Sequence, residues 1–294
     1  MPVSLSGIET PSPEPFGGLT IRFPAGVYSG KVVGMTIRVS SSVLIILSVL
    51  CPTGLLAQWR NQPSPQIPPQ RNGKPNLSAL APRLPDGKPD LSGIWMPLEG
   101  SKYAKDLAAD LKPGDVPFQP WARKLFDTRV DGSHSREDPG AHCLPPGVPM
   151  INGAPYPFKV VQTKDFLLVA YEVFNLWRQI FLDGRELTAD ANPTWLGYST
   201  GKWEGDTLRV DTRGFNGKSW LDALGRPTTE SLHVMERFHR EDFGHLRLEV
   251  TIDDPGAYTR PWVVNEEFVL DPETELMEFI CNENNRDLTH LSGN

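Results

Sequence analysis

The chain is poor in cysteine, with three in 294 residues, at positions 51, 143 and 281. It also lacks the short motifs that name a reaction. There is no Gly-x-Ser-x-Gly nucleophile elbow and no dinucleotide fingerprint. Gly217-Lys-Ser219 is no phosphate loop, because Thr212 stands where the upstream glycine belongs. No cofactor is therefore expected. Positive charge is in deficit, with 29 basic against 36 acidic residues and a formal net charge of −7. An acidic surface argues against nucleic acid or an anionic membrane as partner. The charge is spread along the chain and reads as ordinary solvation.

What is present points to a globular, turn-rich fold. Hydrophobic residues at 39% and charged residues at 22% suit a packed core rather than disorder. Gly 26 and Pro 29 predict many turns and short elements.

The N-terminal region reads in three pieces. Residues 1–34 carry no periodic pattern and read as an upstream extension, with Met35 an alternative start. Residues 35–57 read as a signal peptide: Arg38 supplies the positive start, Val43 to Leu56 the apolar stretch, and Ala57 the small residue before the cut. That stretch, interrupted by Cys51 and Pro52, is short for a transmembrane helix, so no membrane span is expected after cleavage. Lipid attachment at Cys51 is disfavoured by the bulky Leu50 before it. Cleavage would remove Arg22, Lys31, Arg38, Glu9 and Glu14. The 29 basic residues become 26 and the 36 acidic ones 34, a net of −8. Localisation is expected to be periplasmic or secreted. In such an oxidising compartment Cys143 and Cys281 suggest one disulfide, worth roughly 3–5 kcal/mol for a long loop. Two buried thiols, or a nucleophilic Cys143 beside His142, are the alternatives.

Residues 58–90 hold eight prolines in 33 positions and read as an extended linker. Within them Gly73-Lys-Pro-Asn-Leu-Ser78 is echoed by Gly87-Lys-Pro-Asp-Leu-Ser92, which predicts two similar chain-entry turns. Residues 91–290 form the expected β domain. Ser92 to Met96 reads as its first strand, Lys102 to Leu111 and Phe118 to Val130 as helices, and 131–157 as a long loop with Cys143 as a possible anchor. Strands are then expected at Phe158–Thr163, Phe166–Val173, Leu176–Leu182, Trp195–Thr200, Thr207–Thr212, Glu230–His239, His245–Asp253, Pro261–Leu270 and Glu275–Asn282. Leu232, Met235 and Phe238 would also suit a helical stripe. The clean alternation just after them, at Leu246, Leu248, Val250 and Ile252, favours strand. The expected class is mainly β: an antiparallel up-and-down barrel or sandwich, with a small helical and loop insertion before residue 158. Closure would remove exposed edges.

Pro89-Asp-Leu-Ser-Gly-Ile-Trp95 and Gly201-Lys-Trp-Glu-Gly-Asp-Thr-Leu-Arg-Val210 resemble a family of exported bacterial proteins, as do Asn192-Pro-Thr-Trp-Leu-Gly-Tyr198 and the residues from Cys281 to Asn284. The resemblance spans roughly residues 86–287 and implies export but no activity. A second resemblance is to lipocalin-type barrels, which open on a Gly-x-Trp strand, here Gly93-Ile94-Trp95. It implies a basic residue near the last strand packed on the tryptophan, for which Arg286 is the candidate. The 97–157 insertion departs from that pattern.

Candidate site residues come from asking which charges fall on apolar strand faces, since alternate side chains share a face. Glu236 lies with Leu232, Val234 and Phe238. Glu266 lies with Trp262, Val264, Phe268 and Leu270, and Arg178 with Leu176, Ile180 and Leu182. An inward charge is costly unless paired, hydrogen-bonded or solvated. The three imply a cavity holding two carboxylates and a guanidinium, a buried network fixing register, or a solvent-facing side. In a cavity, Glu236 and Glu266 would act as acid and base, and Arg178 would hold an anion or carbonyl. Trp195 and Tyr198, with Trp203 and Trp220 around nearby turns, would line a barrel mouth or simply pack. His233, Glu236 and His239 spell a metal-like motif, but on a strand Glu236 points away from both histidines, so no metal is expected. The leading expectation is a barrel binding a small, partly apolar organic ligand through Arg178, Trp195, Tyr198, Glu236 and Glu266. The alternatives are a cofactor-free hydrolase or lyase using Glu236 or Glu266, and a structural envelope protein.

Overall fold

The computed structural model describes residues 67–187 and 192–283. The expected extension, the expected signal peptide and linker residues 58–66 lie outside them. The described chain forms a closed barrel of nine strands in sequence order. They are β1 (Gly93–Pro97), β2 (Phe158–Gln162), β3 (Phe166–Tyr171), β4 (Trp177–Phe181), β5 (Tyr198–Glu204), β6 (Thr207–Arg213), β7 (His233–Arg240), β8 (His245–Asp253) and β9 (Trp262–Leu270). The fold class is mainly β and lipocalin-like, and closure between β1 and β9 chooses barrel over sandwich.

One junction departs from a pure up-and-down meander: β4 and β5 run parallel. An odd number of strands cannot alternate direction all the way round a closed ring, so one neighbouring pair must be parallel. Parallel neighbours need a connection that returns the length of the strands, and described residues 182–187 and 192–197 form its two ends. The expected strand Glu275–Asn282 is absent. Both edges of β9 are already taken, by β8 and β1, so a tenth strand has no ladder to join. That segment is instead tied to the β3–β4 connection. Phe279 N–H donates to Asn175 Oδ1 (3.1 Å), Asn175 Nδ2 to the Phe279 carbonyl (2.7 Å), and Met277 N–H to a Glu172 carboxylate oxygen (2.9 Å).

The two expected helices survive unequally. The second forms as α2 (Pro120–Arg129), where Pro120 suits a first turn that needs no N–H. The first is reduced to α1 (Lys102–Lys105). It stops because Leu107 N–H donates to the buried Asp222 carboxylate (2.9 Å) rather than back along a helix, a tertiary bond that outweighs local propensity.

One barrel end carries the short turns at 163–165, 205–206 and 241–244. Part of the expected linker closes this end rather than standing extended. Its two echoed segments make matching turns: Gln70 N–H donates to the Lys74 carbonyl and Gly73 N–H to Gln70, just as Leu84 does to Lys88 and Gly87 to Leu84. Gly244 N–H donates to the Leu77 carbonyl (2.7 Å), and Arg83 pairs with Asp206 at 2.6 Å. Trp95 sits at this end, fully buried, with its indole N–H on the Leu91 carbonyl (3.0 Å). Gly93 has φ +143°, and a Cβ there would lie 2.5 Å from Leu270 Cδ1, so only glycine brings β1 this close to β9. The guanidinium of Arg240 stands 4.9 Å from the Trp95 ring centroid. Arg240 is thus the basic residue over the opening tryptophan; Arg286 lies outside the described residues. Burial, offset in part by Asp90 and Asp242, lowers the Arg240 pKa to about 10, which leaves it charged at neutral pH.

The opposite end is covered by the insertion and by residues 214–232. The 131–157 loop contains two short 3₁₀ turns, Ser135–Glu137 and Pro139–His142. Its anchor is the disulfide Cys143–Cys281, with Cα atoms 5.7 Å apart and a sequence separation of 138. No described helix is long and apolar enough to cross a membrane.

Candidate functional site

Strand alternation delivers the three predicted charges to the barrel interior. Burial along β7 picks out Val234, Glu236, Phe238 and Arg240, and along β9 Trp262, Val264, Glu266, Phe268 and Leu270. On β4 the buried positions are Arg178 and Ile180. Arg178 is 3% exposed, Glu236 0% and Glu266 1%, which removes the solvent-facing alternative.

Arg178 and Glu236 form a buried, bidentate ion pair. Arg178 Nη1 donates to Glu236 Oε1 at 3.0 Å, and Nη2 to Oε2. Two further donors are also engaged: Nε on Ser199 Oγ (3.0 Å) and Nη2 on Thr212 Oγ1 (2.7 Å), with those two hydroxyls 3.0 Å apart. Burial alone would weaken the Arg178 charge, but the Glu236 carboxylate overrides it and holds its pKa above the ordinary arginine value. Asn152, from the covering loop, donates Nδ2 to Glu236 Oε1 (2.9 Å) and accepts the Tyr171 hydroxyl on its Oδ1 (2.8 Å). Tyr171 lies in the same network, and burial foremost pushes its pKa up. Every partner of this pair is thus a fixed side chain, the arrangement that a buried pair needs to offset its desolvation.

Glu266 is different. Both of its carboxyl oxygens are buried without a hydrogen-bond partner. Its cross-strand neighbour on β8 is Leu248, and Val264 and Phe268 flank it along its own face. Burial first, and the Glu236 charge second, raise its pKa to about 8. It is therefore mostly a neutral acid at pH 7, whereas an exposed glutamate would be ionised. Trp262 Nε1, four residues along the same face, is also buried without a partner.

The predicted aromatics do not join them. Tyr198 neighbours the inward Ser199, so it lies on the outer side, stacked on Phe181 (5.3 Å between centroids) with its hydroxyl accepting from Arg185 (3.1 Å). Trp195 is half-buried before β5, and its carbonyl faces Gly147 of the covering loop. Trp203 packs under Lys88 and Trp220 under Arg129, at 5.9 and 4.4 Å to the ring centroids. These two aromatics are packing residues, each topped by a cation. His233 lies on the other side of β7 from Glu236, between Asp211 (3.0 Å) and Arg213 (2.8 Å). Among the described residues no three His, Cys, Asp or Glu side chains are grouped to hold a metal. A separate pocket of about 330 Å³ lies in the insertion beside α2, between Phe118, Phe126 and Arg226. Arg226 there is tied to Asp222 and Asp106.

Sequence reasoning missed Ser199, Thr212, Tyr171 and Asn152. Alternation carried a signal for the first three: Thr212 follows Leu208 and Val210, Tyr171 follows Leu167 and Val169, and Ser199 precedes Gly201 by two. Asn152 sits in an irregular loop and carried none.

Fold and site together define a lipocalin-like closed β-barrel with an ion-paired polar network and one unpartnered acid inside. Beyond that class the comparisons are silent: no protein-family model matches the chain and no curated protein matches it.

Proposed function

We propose that this is an exported barrel protein that binds a small, partly apolar organic ligand in its interior. The observation that carries the reading is Glu266, a fully buried carboxyl with two unpartnered oxygens among apolar neighbours. Leaving such a group unmet costs roughly 1–3 kcal/mol. Proteins of ordinary stability retain few such sites unless something else meets the group. Glu266 supplies the polar contact; Leu248, Val264 and Phe268 supply apolar walls. The Arg178–Glu236 pair sets the electrostatic frame rather than gripping the ligand, since four of the five guanidinium hydrogens already meet protein oxygens. Export agrees with the formed disulfide, with the signal-like residues 35–57, and with the resemblance of the Pro89–Trp95 and Gly201–Val210 segments to exported bacterial proteins.

Native mass spectrometry of the protein purified without denaturant from its own host tests the reading. The expected result is a chain beginning near Gln58 with a retained small-molecule adduct that Glu266→Leu loses. A chain without adduct, whose melting temperature no small molecule in a broad library raises, overturns it.

The enzyme reading keeps one specific observation in its favour. A carboxyl that is neutral near pH 7 beside an ion-paired one is the arrangement a general acid requires. Turnover of the recovered ligand, abolished by Glu236→Gln with binding retained, would select this reading over simple binding.

A further inference from the structure

We infer that the interior ligand is an amine that binds as a monocation, with the Glu266 carboxyl as its counter-group. The inference rests on the interior-ligand reading and adds the ligand's chemical class. Three observations carry it. First, Glu266 presents two acceptor oxygens and, at most, one donor hydrogen, and none of this capacity is used within the protein. A group rich in donors, such as an ammonium, satisfies both oxygens at once. Second, the charge that acts on Glu266 is the Glu236 carboxylate. A carboxylate neighbour opposes a second negative charge at Glu266 and favours a positive one. Third, the donors of the ion-paired network are engaged, and the unpartnered donor on this face, Trp262 Nε1, stands four residues away along β9. Arg178 donates to Glu236, Ser199 and Thr212, and Asn152 to Glu236, so an anionic ligand finds its natural partners taken. Leu248 on β8, and Val264 and Phe268 on β9, leave an apolar setting for the rest of the molecule. The titratable and charged groups facing this interior are Glu236 and Arg240 on β7, Arg178 on β4 and Tyr171 on β3, with Arg240 turned to the Trp95 end.

The protons balance in one direction only. Free, the site holds a protonated Glu266 carboxyl and the amine carries its own proton as ammonium. Bound, the amine keeps its proton as ammonium and Glu266 gives up its own, forming a carboxylate–ammonium pair. One proton therefore leaves to solvent for each amine bound.

The test is isothermal titration calorimetry on the mature, oxidised protein at about pH 6.5, below the Glu266 titration. The probes are n-butylamine, n-hexylamine and n-octylamine, with the alcohols and carboxylates of the same lengths. Measurements in two buffers of different ionisation enthalpy count the protons. At least one amine is expected to bind about tenfold or more tightly than its alcohol, the carboxylates weakest of all, with about one proton released per amine. Glu266→Gln is expected to erase both the preference and the release. The proton count on the unaltered protein needs no variant, so a poorly folding Glu266→Gln leaves the test intact. Carboxylates or alcohols binding as tightly as amines, or amines binding without proton release, would overturn the amine class and leave interior binding standing. A native adduct that contains no amine would do the same. If no probe binds and no native adduct is retained, the amine class and the interior-ligand reading fall together.

Discussion

Glu266 makes the stability of this protein depend on pH in an unusual direction. Its carboxyl titrates at about 8 in the folded state against 4.5 for an exposed glutamate. Between those values the folded state binds the proton and the unfolded state does not, so stability falls as pH rises. Below about pH 4.5 both states are protonated and the group contributes nothing. Above about pH 8 both are ionised and the loss is complete. The gap of about 3.5 units, at 1.36 kcal/mol per unit, amounts to about 5 kcal/mol, with a slope near 1.4 kcal/mol per pH unit inside the window. The residue is fully buried, so solvent screening does not reduce this figure appreciably. Urea unfolding of the oxidised, ligand-free protein and of Glu266→Gln, at pH 5, 6, 7, 8 and 9, isolates the effect. Other titrating groups, such as His233, cancel in the difference between the two proteins. The variant is expected to gain on the parent by about 1–1.4 kcal/mol for each unit from pH 5 to 8, and to gain no more beyond it. A difference that stays constant with pH would show that Glu266 is solvated or paired, and the ligand argument built on it would go too.

Three further outcomes follow from the same geometry. Arg178→Met leaves Glu236 buried and unpaired and is expected to cost about 3–5 kcal/mol, while Arg178→Met with Glu236→Leu recovers most of it; thermal melts of both variants decide this. Replacing Cys143 and Cys281 together by serine is expected to cost at most about 5 kcal/mol, the closure entropy of a 138-residue loop. Limited proteolysis of that variant should cut first within 131–157 and 271–283, the segments the bond ties together. Gly93→Ala places a methyl 2.5 Å from Leu270 Cδ1 at a positive φ, so a loss above about 1 kcal/mol in urea is expected, only partly relieved by adding Leu270→Ala.

The sequence by itself determined the β class, because strand alternation is a local property read two residues at a time. That periodicity also put Arg178, Glu236 and Glu266 on apolar strand faces, and the fold turned those faces inward. With no other cysteine in the expected mature chain, Cys143 and Cys281 were the one pair available for a disulfide, and the fold chose the bond over two free thiols. The repeated Gly-Lys-Pro segments likewise announced two alike turns. Tertiary structure alone decided the rest, because each remaining feature depends on contacts between residues far apart in the chain. Whether the strands closed was settled by β1 meeting β9, and that closure denied Glu275–Asn282 a partner and forced one parallel pair. The helix after Lys105 was lost to a bond from Leu107 to Asp222, 115 residues away. Arg240, distant in sequence, took the place over Trp95. The two inward glutamates looked alike as residues on apolar faces. Only the fold gave Glu236 a guanidinium, an amide and a network, and left Glu266 with none.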